Sequence, residues 1–135
     1  MMDSPVGVAA WLIEKFNSWS DTDGDNIESV HSKDSLLTNI MVYLVTGTFN
    51  SASWIYYGRG EEGGRLLSPE GKRVEVPTAV ALFPAELLSW PQRSYVERVY
   101  NISRWIEMPH GGHFAALEQP DLLVEDIRAF ARTLR

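Results

Sequence analysis

The sequence contains no cysteine among its 135 residues, which excludes a disulfide framework, a thiol nucleophile and a thiolate metal site. Basic residues are in the minority, since 12 Lys and Arg stand against 18 Asp and Glu, for a formal charge of −6. Those basic residues are scattered along the chain, whereas binding to phosphates needs a clustered basic face. We therefore expect no nucleic-acid partner.

Long apolar runs are also missing. No stretch approaches the roughly 18 apolar residues from which a membrane span is recognised, so we expect none in this chain. The N-terminus, MMDSPVG, has no basic segment followed by an apolar one, which predicts no signal peptide. The hydrophobic fraction of 44% is that of part of a soluble protein with one modest core, and we expect a cytoplasmic location.

Two apolar runs organise the second half of the chain. Val76–Phe83 lacks polar alternation, which favours a strand buried on both faces of a parallel sheet, and Ile102–Met108 is a second strand-like run. Trp90–Tyr100 between them is expected to be a crossover helix. Glu86 follows the first strand and His113 follows the second. Because ligands of open α/β sheets bind at the carboxyl ends of strands, both side chains fall where a site would form.

Helical periodicity accounts for most of the remaining chain. Capping residues, Asp3 or Ser4 at one site and Ser32 at another, begin helices at about 6–18 and 33–45, and further helices are expected at 50–58 and 121–134. Residues 1–60 are thus expected to be a helical segment, 61–75 an exposed loop, and 76–135 a strand–helix–strand–helix part. The last helix should pack on the sheet through five apolar residues: Leu122, Val124, Ile127, Phe130 and Leu134.

Several polar residues are assigned no chemistry. The acidic stretch at 21–25 lacks the Gly and Glu that a calcium-binding loop requires, so we interpret it as a turn. His31 and Glu118 are expected to be surface residues, and His110 a polar loop residue. The glycines of 58–63 neither follow a strand nor precede a helix, so no dinucleotide site is expected.

Two motifs resemble those of a known family, the microsomal-type epoxide hydrolases, which include the juvenile hormone epoxide hydrolases and have the α/β-hydrolase fold. FPAEL, residues 83–87, resembles the turn that bears the family's acid, and GGHFAALEQPDLLVEDIRAF, residues 111–130, resembles the signature around its catalytic histidine. The likeness continues upstream through residues 3–21 and 36–52. It implies the C-terminal part of an α/β-hydrolase fold, with two parallel strands, flanking helices and a helical segment derived from the cap.

The resemblance also implies roles for individual residues. His113 would be the base that activates water, Glu86 the acid that orients it, and Tyr56 a donor to the epoxide oxygen, with Tyr57 as the alternative register. The substrate would be a small-molecule epoxide, hydrolysed to a diol through an aspartyl ester, with no cofactor or metal. The family's nucleophilic aspartate and its HGWP motif do not occur in this sequence.

Two other interpretations stay open on the sequence. The chain could be a truncated, non-catalytic module derived from a hydrolase, or another α/β-hydrolase such as a serine esterase. Without the nucleophile, the isolated chain is expected to be inactive. Without the family's earlier strands, its sheet would expose an apolar edge, which favours self-association or pairing with the missing N-terminal part.

Overall fold

The computed structural model describes residues 3–62 and 72–135, which form two compact units. Within these ranges, residues 3–18 and 22–62 form a helical unit, and residues 19–21 and 72–135 form an α/β unit. Residues 63–71 of the loop expected at 61–75 lie outside the described residues, while Glu61 belongs to a helix and Val74 to a strand.

The elements follow in chain order. They are α1 (Pro5–Trp19), a 3-10 turn (Ile27–Ser29), α2 (Lys33–Thr46), α3 (Phe49–Glu61), β1 (Val74–Leu82), α4 (Arg93–Val96), β2 (Tyr100–Glu107), α5 (Ala115–Glu118) and α6 (Pro120–Arg132). No helix in the described ranges combines the length and apolar character needed to cross a membrane.

Local signals mark the start of α1 and both ends of α2. The hydroxyl of Ser4 accepts the Gly7 N–H at 3.1 Å, and that of Ser32 accepts the Ser35 N–H at 3.2 Å, so both serines cap helix N-termini. Gly47 ends α2 with a φ of 65°, a left-handed conformation that glycine adopts without strain. The expected starts of α1 to α3 are confirmed, and α3 continues beyond its expected end at residue 58.

The core of the helical unit is small and rich in aromatic contacts. It comprises Val8, Leu12, Ile40 and Phe49. His31, expected at the surface, is only 4% exposed, so that expectation was wrong. Its backbone N–H donates to the Ile27 carbonyl just after the 3-10 turn, and its ring packs edge-on against Phe16 of α1.

In the α/β unit, β1 and β2 pair in parallel, as expected, with Thr78 opposite Ile102 and Leu82 opposite Glu107. The crossover helix expected over residues 90–100 is wrong in extent, because α4 has only four residues. The indole N–H of Trp90 donates to the Phe83 carbonyl at 2.9 Å and holds residue 90 in the loop. Tyr100 already belongs to β2.

Burial along β1 increases towards its carboxyl end. Residues 74–77 of β1 are exposed, and the buried positions are Leu82 and Phe83, so the expectation of a strand buried on both faces was wrong. The reason is that the described sheet has two strands, which leaves few neighbours to cover its faces. The carboxyl end is the better packed part, and the candidate site lies there.

The last helix packs on the sheet through a polar centre. Asp126 of α6 is 7% exposed and accepts hydrogen bonds from the Arg104 guanidinium of β2 at 2.6 Å. Three members of the expected buried stripe, Val124, Ile127 and Leu134, are exposed. Leu122 and Phe130 are half-buried on either side of Asp126, so the face that meets the sheet is centred on the ion pair.

Candidate active site

The loops that follow β1 and β2 are joined to each other. Met108 donates its N–H to the Leu82 carbonyl at 2.8 Å, and Ala85 donates to the Gly111 carbonyl at 3.1 Å. Ala85 and Gly112 form a parallel bridge. Parallel pairing therefore continues past the strand ends and brings the residues after each strand side by side.

This pairing places Glu86 next to His113. The imidazole Nδ1 lies 2.7 Å from the Glu86 Oε1, within the distance of a strong hydrogen bond, and the same oxygen accepts the Leu87 N–H at 2.8 Å. The Glu86 side chain is 20% exposed and that of His113 is 41% exposed. A carboxylate beside Nδ1 favours the tautomer with a proton on Nδ1, which leaves the Nε2 lone pair to accept a proton.

Two glycines before His113 permit the close packing of its loop. Gly111 has a φ of 107°, and a Cβ atom there would lie 2.7 Å from Cδ1 of Phe83. Gly112 approaches the end of α1 so closely that a Cβ atom would lie 2.6 Å from the Trp19 carbonyl oxygen. Both distances are shorter than van der Waals contact, so neither position has room for a side chain, and the positive φ of Gly111 would also strain any other residue.

Residues 19–21 contact the histidine and its loop. The His113 N–H donates to the Trp19 carbonyl at 2.8 Å, and the Gly111 N–H donates to the Asp21 carboxylate at 2.7 Å. The Trp19 ring packs edge-on against the imidazole, with 5.2 Å between ring centroids. The imidazole therefore has an aromatic neighbour at the end of α1 as well as the carboxylate.

Sequence reasoning missed two acidic residues in this region. Glu118, expected at the surface, is half-buried and accepts N–H groups from Asp21, Gly112 and Phe114. Asp21, interpreted only as a turn residue, binds the Gly111 N–H. The contact between Glu118 and Asp21 spans 97 residues and that between Asp21 and Gly111 spans 90, and neither helical nor strand periodicity indicates such contacts. His110, expected to be a polar loop residue, lies outside the helices and strands and is exposed.

Tyr56 belongs to the helical unit, where it borders a cavity of about 140 Å³. Its ring packs edge-on against Trp11, with 5.8 Å between centroids. Half of the eight residues that line the cavity are aromatic, namely Trp11, Tyr43, Phe49 and Tyr56. Tyr57 is 71% exposed, compared with 56% for Tyr56.

The pair of Glu86 and His113 has the geometry of an assisted base. A neutral imidazole can take a proton from water near neutral pH, and the carboxylate on the other nitrogen stabilises the cation that forms. Such a pair serves several hydrolytic reactions, because the nucleophile and the substrate site decide the chemistry.

Comparisons with known proteins identify relatives along the whole chain. It is 40% identical over 133 residues to epoxide hydrolase 1 of Sus scrofa and 36% identical over 132 residues to juvenile hormone epoxide hydrolase 2 of Ctenocephalides felis. These alignments cover 95% and 94% of this chain, but only 29% and 28% of the relatives. No protein-family model matches the chain.

Solved structures agree with the sequence relatives. The structure of juvenile hormone epoxide hydrolase from the silkworm Bombyx mori superposes with a TM-score of 0.82 at 25% identity, over 98% of this chain and 34% of that one. The described residues thus have the fold of the corresponding part of an α/β-hydrolase. The chain is similar in sequence to one portion of epoxide hydrolases, including juvenile hormone epoxide hydrolases, and spans just under a third of the length of the curated relatives it matches.

Proposed function

We propose that this chain is the part of an epoxide hydrolase that contains the base and its orienting acid. The observation that supports the proposal is the 2.7 Å contact between His113 Nδ1 and Glu86 Oε1, formed at the carboxyl ends of two parallel strands. In this proposal, the reaction converts an epoxide to a vicinal diol through an ester with an aspartate. Epoxide hydrolase homology supports the reaction class.

His113 would act in the second half of the reaction. Its Nε2 takes a proton from water, the water oxygen bonds to the carbonyl carbon of the aspartyl ester, and a tetrahedral intermediate forms. Collapse of that intermediate breaks the bond to the diol oxygen, which then receives the proton from the imidazolium. Glu86 stabilises the imidazolium while the proton resides on it.

The nucleophile of the first half is not assigned to any residue of this chain. The family resemblance implies an aspartate nucleophile, which would therefore come from a separate segment. That segment is the partner that the mechanism requires. We propose that the isolated chain does not hydrolyse epoxides, because His113 has no ester on which to act. Incubation of the 135-residue chain with styrene oxide, followed by measurement of the diol, tests this directly.

Tyr56 is proposed to donate a hydrogen bond to the epoxide oxygen as it becomes an alkoxide. The observation in favour of Tyr56 over Tyr57 is its position beside the aromatic cavity of the helical unit. An apolar cavity next to a hydroxyl group suits a ligand that is apolar except for one oxygen atom.

The test of the base and acid uses a chimera that supplies the nucleophile. The chain would replace its aligned segment in the Sus scrofa relative, with which it shares 40% identity. His113→Ala and Glu86→Gln should each lower diol formation from styrene oxide, about 100-fold or more for the histidine, because the ester is no longer hydrolysed. Mass spectrometry of the quenched proteins should show the covalent adduct accumulating in both variants.

His110→Ala is the matched control, since this second histidine of the same loop is exposed. It should leave turnover and adduct level unchanged. Normal turnover in the Glu86→Gln chimera, with no adduct, would remove Glu86 from the proposed mechanism.

The tyrosine assignment is tested in the same chimera by comparing Tyr56→Phe with Tyr57→Phe. Loss of one donor to a developing oxyanion costs about 100-fold in rate, so Tyr56→Phe should slow formation of the adduct by about this factor. Tyr57→Phe should leave it within a few-fold of the parent. The reverse pattern would transfer the role to Tyr57.

A further inference from the structure

The carboxylate of Glu118 binds the main chain on both sides of His113. Its Oε2 accepts the Gly112 N–H at 3.0 Å, and its Oε1 accepts the Phe114 N–H at 2.9 Å. Oε2 also accepts the Asp21 N–H at 2.7 Å, so one side chain joins the histidine loop to the segment that follows α1. Hydrogen bonds to a charged acceptor are stronger than those between neutral groups.

The other bonds of the loop complete this arrangement. The Gly111 N–H is held by Asp21 and the His113 N–H by the Trp19 carbonyl, so all four N–H groups from Gly111 to Phe114 have acceptors. Glu118 supplies two of these four acceptors. Its hydrogen bonds go to main-chain N–H groups and not to the imidazole, so its effect on the ring is exerted through the backbone.

We propose that Glu118 is a positioning residue for the reaction: by holding Gly112 and Phe114, it keeps the imidazole of His113 within hydrogen-bonding distance of Glu86. The role of His113 in this statement rests on the function proposed above. The physical reason is that a main-chain rotation at residue 112 or 114 would displace the imidazole from its 2.7 Å contact, and the three N–H bonds oppose that rotation. Glu118 is thus assigned a role that its position near α6 did not indicate.

A purely local role is the competing explanation. The bond from the Phe114 N–H to Glu118 spans four residues and could serve only to close the short helix α5. The bonds to Gly112 and Asp21 lie outside that helix, and this favours the positioning role. The two explanations differ in what happens to the imidazole when the carboxylate is removed.

The experiment is nuclear magnetic resonance of the 15N-labelled 135-residue chain, which reads the histidine ring and the amides separately. Glu86→Gln provides the reference change in the ring nitrogen and Nδ1 proton shifts of His113. In Glu118→Ala, these shifts should change by at least half as much as in the reference. Amide hydrogen exchange at Asp21, Gly112 and Phe114 should become about tenfold faster or more, because each amide loses a charged acceptor.

Glu118→Gln removes only part of the hydrogen bonding of Glu118, so its effect should be smaller than that of Glu118→Ala. It also provides a test if the alanine variant misfolds. Its single carbonyl oxygen can still accept from Asp21 and Gly112, whereas its NH₂ group cannot accept from Phe114. Only the Phe114 amide should then exchange faster, and the ring shifts should move less than in Glu118→Ala. Glu125→Gln is the matched control, since it removes an exposed carboxylate from α6 of the same unit, and it should change neither readout.

Faster amide exchange in Glu118→Ala with unchanged ring shifts would leave only the local role and overturn the proposal. The proposal is also overturned if Glu118→Gln speeds hydrogen exchange at the Phe114 amide and Glu118→Ala has no effect beyond that one. If Glu86→Gln itself leaves the ring nitrogen and Nδ1 proton shifts of His113 unchanged, the contact between Glu86 and His113 on which the proposed function rests is refuted. Unchanged exchange at Gly112 and Phe114 would refute the positioning role independently of that pair.

Discussion

Gly111 and Gly112 exclude side chains for different reasons, and the difference can be measured. An alanine at 112 would meet the Trp19 carbonyl, which is main chain and cannot rotate away. An alanine at 111 would be strained at a φ of 107° and would also meet the Phe83 ring. We expect each substitution to lower the free energy of unfolding by about 1–3 kcal/mol, as measured by urea denaturation.

Gly58→Ala is the control for these variants. Gly58 lies in α3, and apart from its chain neighbours and the helix's own backbone no atom lies within 4 Å of the Cβ that alanine would add. Because glycine weakens a helix interior, this change should raise stability by about 0.5–1 kcal/mol. If Gly112→Ala were as stable as Gly58→Ala, the close approach to Trp19 would not constrain the loop.

The contrast between Glu86 and Glu118 shows what the sequence could predict at the residue scale. Glu86 and His113 each follow a strand of a parallel pair, so chain order and sheet geometry suffice to place them together. Glu118 is located by main-chain donors from two separate segments. Such donors exist at almost every residue, so no side-chain pattern indicates which of them a given carboxylate will bind.

At the scale of elements, strands and long helices were predictable because their signals are local. The overlong crossover helix shows where that reasoning fails. Trp90 bonds to the Phe83 carbonyl and Tyr100 pairs within the sheet, so tertiary contacts reduce the helix to Arg93–Val96. The prediction of an apolar stripe on α6 was wrong because an ion pair with a nearly buried carboxylate, rather than a set of apolar side chains, forms the centre of the contact of α6 with β2.

Arg104 and Asp126 provide the test at this scale. The Asp126 side chain is 8% exposed and that of Arg104 28% exposed, so Arg104→Met would leave a nearly buried carboxylate without its cation. We expect the free energy of unfolding to fall by about 3 kcal/mol. This is the lower end of the cost of removing one partner from a buried ion pair, because the arginine is partly exposed to water. Thermal and urea denaturation of the 135-residue chain would measure the change.

Two further variants separate burial from charge loss. Arg93→Met removes an arginine from the exposed pair with Glu97 and should cost less than about 1 kcal/mol. The double variant Arg104→Met/Asp126→Leu should recover most of the lost stability, because no charge remains buried. Equal effects of Arg93→Met and Arg104→Met would show that α6 does not depend on its ion pair.

For the whole molecule, the exposed apolar residues are the dominant feature. Within the described ranges, β1 pairs only with β2, and Val76 of β1 is 69% exposed. The helical unit exposes Val6, Val45 and Trp54 to 77%, 77% and 74%. The fold class could be predicted from motifs and strand order, but the burial of each strand could not, because burial depends on how many elements surround it.

An exposed strand edge is a template for pairing with another chain, so the isolated chain should self-associate through β1. Sedimentation velocity over a range of concentrations should show a species larger than 15.2 kDa whose fraction rises with concentration. Val76→Lys should reduce that fraction, because a lysine on an edge strand must lose hydration when a second chain pairs there. Val6→Lys, the same change at an exposed valine of α1, should not. A chain that stays monomeric throughout, or an equal effect of the two lysines, would show that β1 is not the surface of association.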